Sequence, residues 1–133
     1  MINEIYGLPE VKFVAGETQT FVFHLYFELT KEAFNANGCK VDFAVIDYTN
    51  KSGKPLLRKK CKVRLNSDGI PNIAEAYLTP EDTAGLYGKY VYQLQIRDID
   101  DEVEIPGQGL LVISKNIHKG FIYHTGAEPV PAQ

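Results

Sequence analysis

Adjacent carboxylates are the groups that general acid–base catalysis or a bound metal would use, and this chain offers two such clusters. Glu81 and Asp82 stand together in LTPEDTAGLYGKYVYQLQIRD at 78–98, and Asp98, Asp100, Asp101, Glu102 and Glu104 crowd the run DIDDEVE. A catalytic pair must reach one substrate from suitable directions. Glu81 and Asp82 instead follow Thr79, a good N-cap, and Pro80, a good first helical residue, where acidic side chains favour the positive helix end. They read as capping residues. DIDDEVE lacks the glycine and terminal-glutamate spacing of an EF-hand loop, so it reads as a solvated hairpin tip, with calcium binding as the alternative.

The other reactive side chains are dispersed. His24, His118 and His124 form no HxxxH or HExxH pattern, so no metal is expected from them. His24 reads as a packed or edge imidazole within a strand. Cys39 and Cys61 flank the turn signal TNKSGK. A hairpin turning at Asn50–Gly53 puts Cys61 opposite Asp42, and one turning at Ser52–Gly53 puts it opposite Ala44. Either register leaves the thiols too far apart to bridge. Two free thiols in a reducing compartment are expected, with no base beside either to make a nucleophile. GQG at 107–109 is too short for a dinucleotide fingerprint and reads as a bulge or turn beside a strand. No nucleophile elbow, phosphate loop or CxxC occurs, so neither an enzyme nor a cofactor is expected.

One charged pattern stands out. Arg58, Lys60, Lys62 and Arg64 fall on one face of a strand. Lysine-rich strands are commonly solvated faces or edges guarded against pairing with other chains. The alternative is an interface for an anionic partner.

The elements that carry these residues are strands. VKFVA, TFVFHLYFE, KVDFAVIDY, LLRKKCKVRL, IAEAYLT, KYVYQLQIRD and GLLVIS alternate apolar and polar residues, the period of a half-buried strand. In the second of these Phe21, Phe23, Leu25 and Phe27 share a face. Turn chemistry separates the runs at Ser52-Gly53, Asp68-Gly69 and Pro106-Gly107. LTKEAFNANG is expected to be a short turn or irregular connection. In the corner stretch, Gly85 is expected to stop the helical turn in a left-handed conformation. Tyr90, Tyr92, Leu94 and Ile96 then line one face of a strand. Tyr90 is the first candidate, and Tyr87 the second, for the tyrosine that fastens such corners in immunoglobulin-type sandwiches.

The expected fold is therefore all-β: an immunoglobulin-like antiparallel β-sandwich of about seven or eight strands with one short helical turn near 79–85. Its domain spans 1–120, and the Pro-rich stretch 121–133 is a tail or linker. The 133 residues suit one domain able to bury its own core, without a metal or disulfide staple. A formal charge of −3 disfavours a nucleic-acid partner. No apolar run reaches the ~18–20 residues of a membrane span, and MINEIYGLPEVK lacks a signal-peptide core. A soluble protein not exported by the Sec route is expected.

Three blocks, KFVAGETQTFVFHLYFEL at 12–29, LTPEDTAGLYGKYVYQLQIRD at 78–98 and GQGLLVISKNI at 107–117, together resemble the N-terminal domain of phage baseplate upper proteins, tail components of siphophages and their prophage relatives. The resemblance covers about residues 11 to 117, and the order of the blocks carries it. It implies an immunoglobulin-like sandwich with no catalytic residues. Its partners would be other tail and baseplate proteins, with a homo-oligomer possible, and its place the virion after assembly in the bacterial cytoplasm. Members of that family commonly continue into a helical linker and a distal domain, where this chain has a short Pro-rich tail. The alternative reading is a bacterial immunoglobulin-like module that binds glycans or surface proteins, with Tyr6, Tyr26, Tyr48 and Tyr123 as stacking residues.

Overall fold

A computed structural model describes residues 8–27, 29–50 and 53–122. Eight strands occur in it: β1 (Val11–Val14), β2 (Gln19–His24), β3 (Lys40–Asp47), β4 (Leu57–Lys60), β5 (Lys62–Arg64), β6 (Ile73–Leu78), β7 (Gly88–Arg97) and β8 (Val103–Ser114). A single helical turn, α1 (Pro80–Thr83), lies between β6 and β7. The strands form a five-stranded sheet in the order β1-β8-β7-β3-β4 and a three-stranded sheet in the order β2-β6-β5. This is an immunoglobulin-like β-sandwich: β3, β7 and β8 take the places of strands C, F and G, and the facing sheet those of B, E and D.

The pleat explains why these runs became strands. Val41, Phe43 and Val45 of β3 and Tyr90, Tyr92, Leu94 and Ile96 of β7 all turn inward and are buried. They meet Phe21 and Leu25 from the other sheet. The centre is aromatic, with ring centroids 4.8 Å apart for Phe21–Phe43 and 5.4 Å for Phe21–Tyr92. The inward alternation of the second run stops at Leu25. Phe27 lies beyond the end of β2, half exposed, and packs edge-on against Phe34 instead.

Several expectations are corrected. The sandwich is not wholly antiparallel, because β1 runs parallel to β8, with Val11 opposite Leu111. Pro106-Gly107 is not a turn but lies inside β8. Between the pairs Leu94–Gly107 and Ile96–Glu104, β8 holds two residues where β7 holds one. That bulge is the strand position in which a proline, lacking an N–H, is tolerated. The glycines that follow make room: a Cβ at Gly107 would meet Leu8, and one at Gly109 would stand 2.7 Å from the Tyr92 ring. Gly85 is not left-handed. Ala84 before it stays right-handed, the Leu86 N–H closes the turn on the Thr83 carbonyl, and the positive φ falls instead on Gly88. Asp68-Gly69 is the turn the sequence indicates, with Gly69 at φ +79°. At the expected boundary, Phe121 closes a 3-10 turn, and the Ile122 side chain fills the space over Gly16. Residues 123–133 lie outside the described residues.

LLRKKCKVRL is two strands. β4 pairs with β3 in one sheet and β5 with β6 in the other, so the chain changes sheets at Cys61. The Cys61 N–H still donates to the Val41 carbonyl at 2.8 Å, one position from the Asp42 register and three from the Ala44 register. Its side chain packs against both halves of the core. Both thiols are free.

Candidate functional site

The corner carboxylates are held by the fold. Asp82 Oδ2 accepts the Thr79 N–H at 2.7 Å, closing a capping box, and lies 2.8 Å from Lys59 Nζ. Burial alone would raise its pKa; the hydrogen bonds and charge of Lys59 together with Thr79 outweigh that and hold the carboxyl below its usual range. Glu81, its neighbour, points to solvent. The two therefore face different surroundings and do not converge on one point. Thr83, fully buried, accepts the Gly16 N–H on Oγ1 at 2.9 Å and so ties the β1–β2 turn to α1. Tyr90 Oη accepts the Tyr87 N–H at 2.8 Å and donates to the Tyr87 carbonyl at 3.0 Å. Its hydroxyl thus clasps the backbone three residues upstream, at the start of β7, the geometry of a tyrosine corner. Lys59 and Thr83 were not singled out by the sequence. The signal for Lys59 was its inward parity with Leu57 and Cys61.

The acidic run forms the β7–β8 tip. Asp98 Oδ1 accepts the N–H groups of Asp100 and Glu102, both at 2.9 Å, and Asp101 has φ +68°. The first carboxylate of the run is thereby used by the turn itself. Among the described residues no three His, Cys, Asp or Glu side chains are placed to hold a metal ion. His24 is exposed on the β2 edge and His118 is exposed beside a 3-10 turn. His124 lies outside the described residues, as do Tyr6 and Tyr123. Tyr26 follows β2, while Tyr48 follows β3 beneath the Lys89 ammonium, 5.1 Å from its ring centroid. Those two tyrosines belong to chains of different sheets and build no common platform.

The cation stripe divides where the chain changes sheets. Lys62 and Arg64 lie on β5, where Arg64 Nε meets Glu75 at 2.7 Å. Arg58 and Lys60 lie on β4, at the edge of the five-stranded sheet. Both edges on this side of the sandwich thus carry cations. The free edge on β2, with Thr20, Val22 and His24 turned outward, has none.

Register assembles a larger surface on the outer face of the five-stranded sheet. Its centre is the half-buried Ala44 and Ile46 of β3 and Leu110 of β8, over the buried Val91 of β7 and beside three glutamines. Gln93 Nε2 donates to Gln108 Oε1 at 2.8 Å, and Gln95 Nε2 donates to Gln93 Oε1 at 3.1 Å. Around this centre stand Lys12, Lys40, Arg58, Lys60, Lys89 and Arg97, all exposed, with Asp42 among them and Glu10 paired to Lys12 at 3.3 Å. Among the described residues, Lys40, Arg58 and Lys60 hold no ion pair.

No protein-family model matches the chain, and no curated protein matches it either. Among solved structures it is similar to CopC from Methylosinus trichosporium OB3b, at 15% identity and a TM-score of 0.44, over 80% of this chain and 84% of that one. Among the described residues no helix is long and apolar enough to cross a membrane.

Proposed function

We propose that the chain is a non-enzymatic assembly domain that works by protein–protein contact, as part of a phage or prophage tail baseplate. The ordered motif blocks support the baseplate setting. The single observation that carries the contact role is the outer face of the five-stranded sheet. An apolar and amide centre ringed by charged side chains has the anatomy of a protein interface, a weakly polar core inside a solvated rim. These reactive groups have structural duties: Asp82 and Thr83 brace the corner, Tyr90 pins it, and Asp98 shapes the hairpin tip.

Immunogold labelling of purified particles with an antibody to this chain tests the reading. Label confined to the tail tip is expected, together with co-elution of the chain with tail proteins encoded beside it. Unlabelled particles and a chain that binds none of those proteins would overturn it.

A further inference from the structure

We propose that the cation-ringed outer face of the five-stranded sheet receives the acidic β7–β8 hairpin tip of a second copy of this chain. The inference rests on the reading of that face as a contact surface. It names the partner.

The two surfaces match in two independent ways. The chain has a net charge of −3, yet the sheet face gathers Lys12, Lys40, Arg58, Lys60, Lys89 and Arg97 around two acids, Asp42 and the Glu10 that pairs with Lys12 at 3.3 Å. The missing negative charge is concentrated at the hairpin tip, where Asp100, Asp101 and Glu102 are all exposed. Complementary charge steers association and fixes orientation. The second match is apolar. Ile99 at the tip is 75% exposed, an aliphatic knob flanked by carboxylates. The face offers the inverse pattern, with the half-buried Ile46 and Leu110 flanked by cations. The tip is also preorganised, since the Asp98 carboxylate holds two of its N–H groups, which lowers the ordering cost of docking.

The tip reaches only the near end of its own face, where Arg97 stands opposite Lys40. It continues the line of β7 beyond Arg97, and its ion pair with that face is Arg97–Asp101 at 3.4 Å. Lys89, at the far end of β7, lies eight residues back, roughly 26 Å along the strand. The docking partner is therefore another molecule. Tip and face are different patches, so the contact is heterologous and builds a ring or an open string of copies rather than a closed two-fold dimer.

Sedimentation velocity on the full chain tests this with two charge-reversal variants on exposed positions. One is Arg58→Glu with Lys60→Glu on the face, the other Asp100→Lys with Glu102→Lys on the tip. Wild-type chain is expected to form species that grow with concentration in about 20 mM salt and dissociate in about 0.5 M salt, where screening is nearly complete at contact range. Each variant alone is expected to be monomeric. Mixed, they are expected to associate again, since the native tip of one meets the native face of the other and the two reversed patches are complementary in turn. Circular dichroism of each variant checks that it folds. A monomeric wild type at low salt, association that survives both variants, or a mixture that stays monomeric would each overturn the inference. Capture of a different acidic protein by the face, with no self-association, also overturns it. The baseplate reading stands or falls separately on particle labelling: labelled tails with a monomeric chain sink only the self-docking, and unlabelled particles with a self-associating chain sink only the baseplate.

Discussion

Lys59 Nζ sits 2.8 Å from Asp82 Oδ2, joining the edge strand β4 to the helical turn α1 across the end of the sandwich. The side chains are 28% and 17% exposed, so this pair is more than a surface ion pair, which is typically worth under about 1 kcal/mol. Asp82 also caps α1. Asp82→Ala is expected to cost about 2 kcal/mol, combining the lost cap with a lysine left half-buried and unpaired. Because the carboxyl is held below its ordinary 3.8, its contribution is complete above that value and disappears as pH falls through the lower folded value. Urea denaturation of wild type and Asp82→Asn should therefore show a stability gap at neutral pH that narrows in acid below that value.

Tyr90→Phe removes the hydroxyl that holds both polar backbone groups of Tyr87. With the ring retained, the expected loss is about 1 kcal/mol or slightly more. Chemical denaturation reads it directly, and unchanged stability would mean that the clasp contributes nothing.

Gly109→Ala is expected to destabilise by about 1–3 kcal/mol. The added methyl would stand 2.7 Å from the Tyr92 ring, which cannot swing aside without losing its 2.6 Å hydrogen bond to the Pro9 carbonyl. Gly109→Ala combined with Tyr92→Leu should recover part of the loss. A fully additive double variant would place the cost elsewhere.

Burial, with a smaller push from Asp42, raises the Cys61 thiol to about 12 from 9.0, roughly a thousandfold less thiolate at neutral pH. Alkylation of the Cys39→Ser variant should consequently be very slow in the folded protein and become fast in denaturant. Mass spectrometry against time follows it, and rapid labelling of the folded variant would show the thiol to be accessible.

Much of the fold was legible because it rests on local rules. Alternation located the strand runs apart from the first half of β8, and Thr79-Pro80-Glu81-Asp82 marked the corner, since capping and strand period depend on residues a few positions apart. What could not be read depends on distant parts of the chain. Arg58, Lys60, Lys62 and Arg64 share one parity and looked like one stripe; the change of sheet at Cys61 gives each half different neighbours. No local pattern marks Lys59, whose partner is on α1, or Thr83, whose partner is the amide of Gly16. Pro106 looks like punctuation in the sequence because a bulge exists only once a second strand is paired beside it. The cationic sheet face draws on β1, β3, β4 and β7, so no window of the sequence contains it.

The passage of one continuous run between sheets at Cys61 sets how the sandwich opens. On that side a single residue binds the two leaves together midway along their length, like the stitched spine of a book. On the other side β1 and β2 are joined only by the turn around Gly16, a clasp at one corner of the fore-edge. Separating the leaves must therefore begin at the unclasped corner, near the end of β2 at His24, and travel towards the spine. The amides of lower β2 are the ones that should exchange with solvent first, and those around Cys61 should exchange only when the whole domain unfolds.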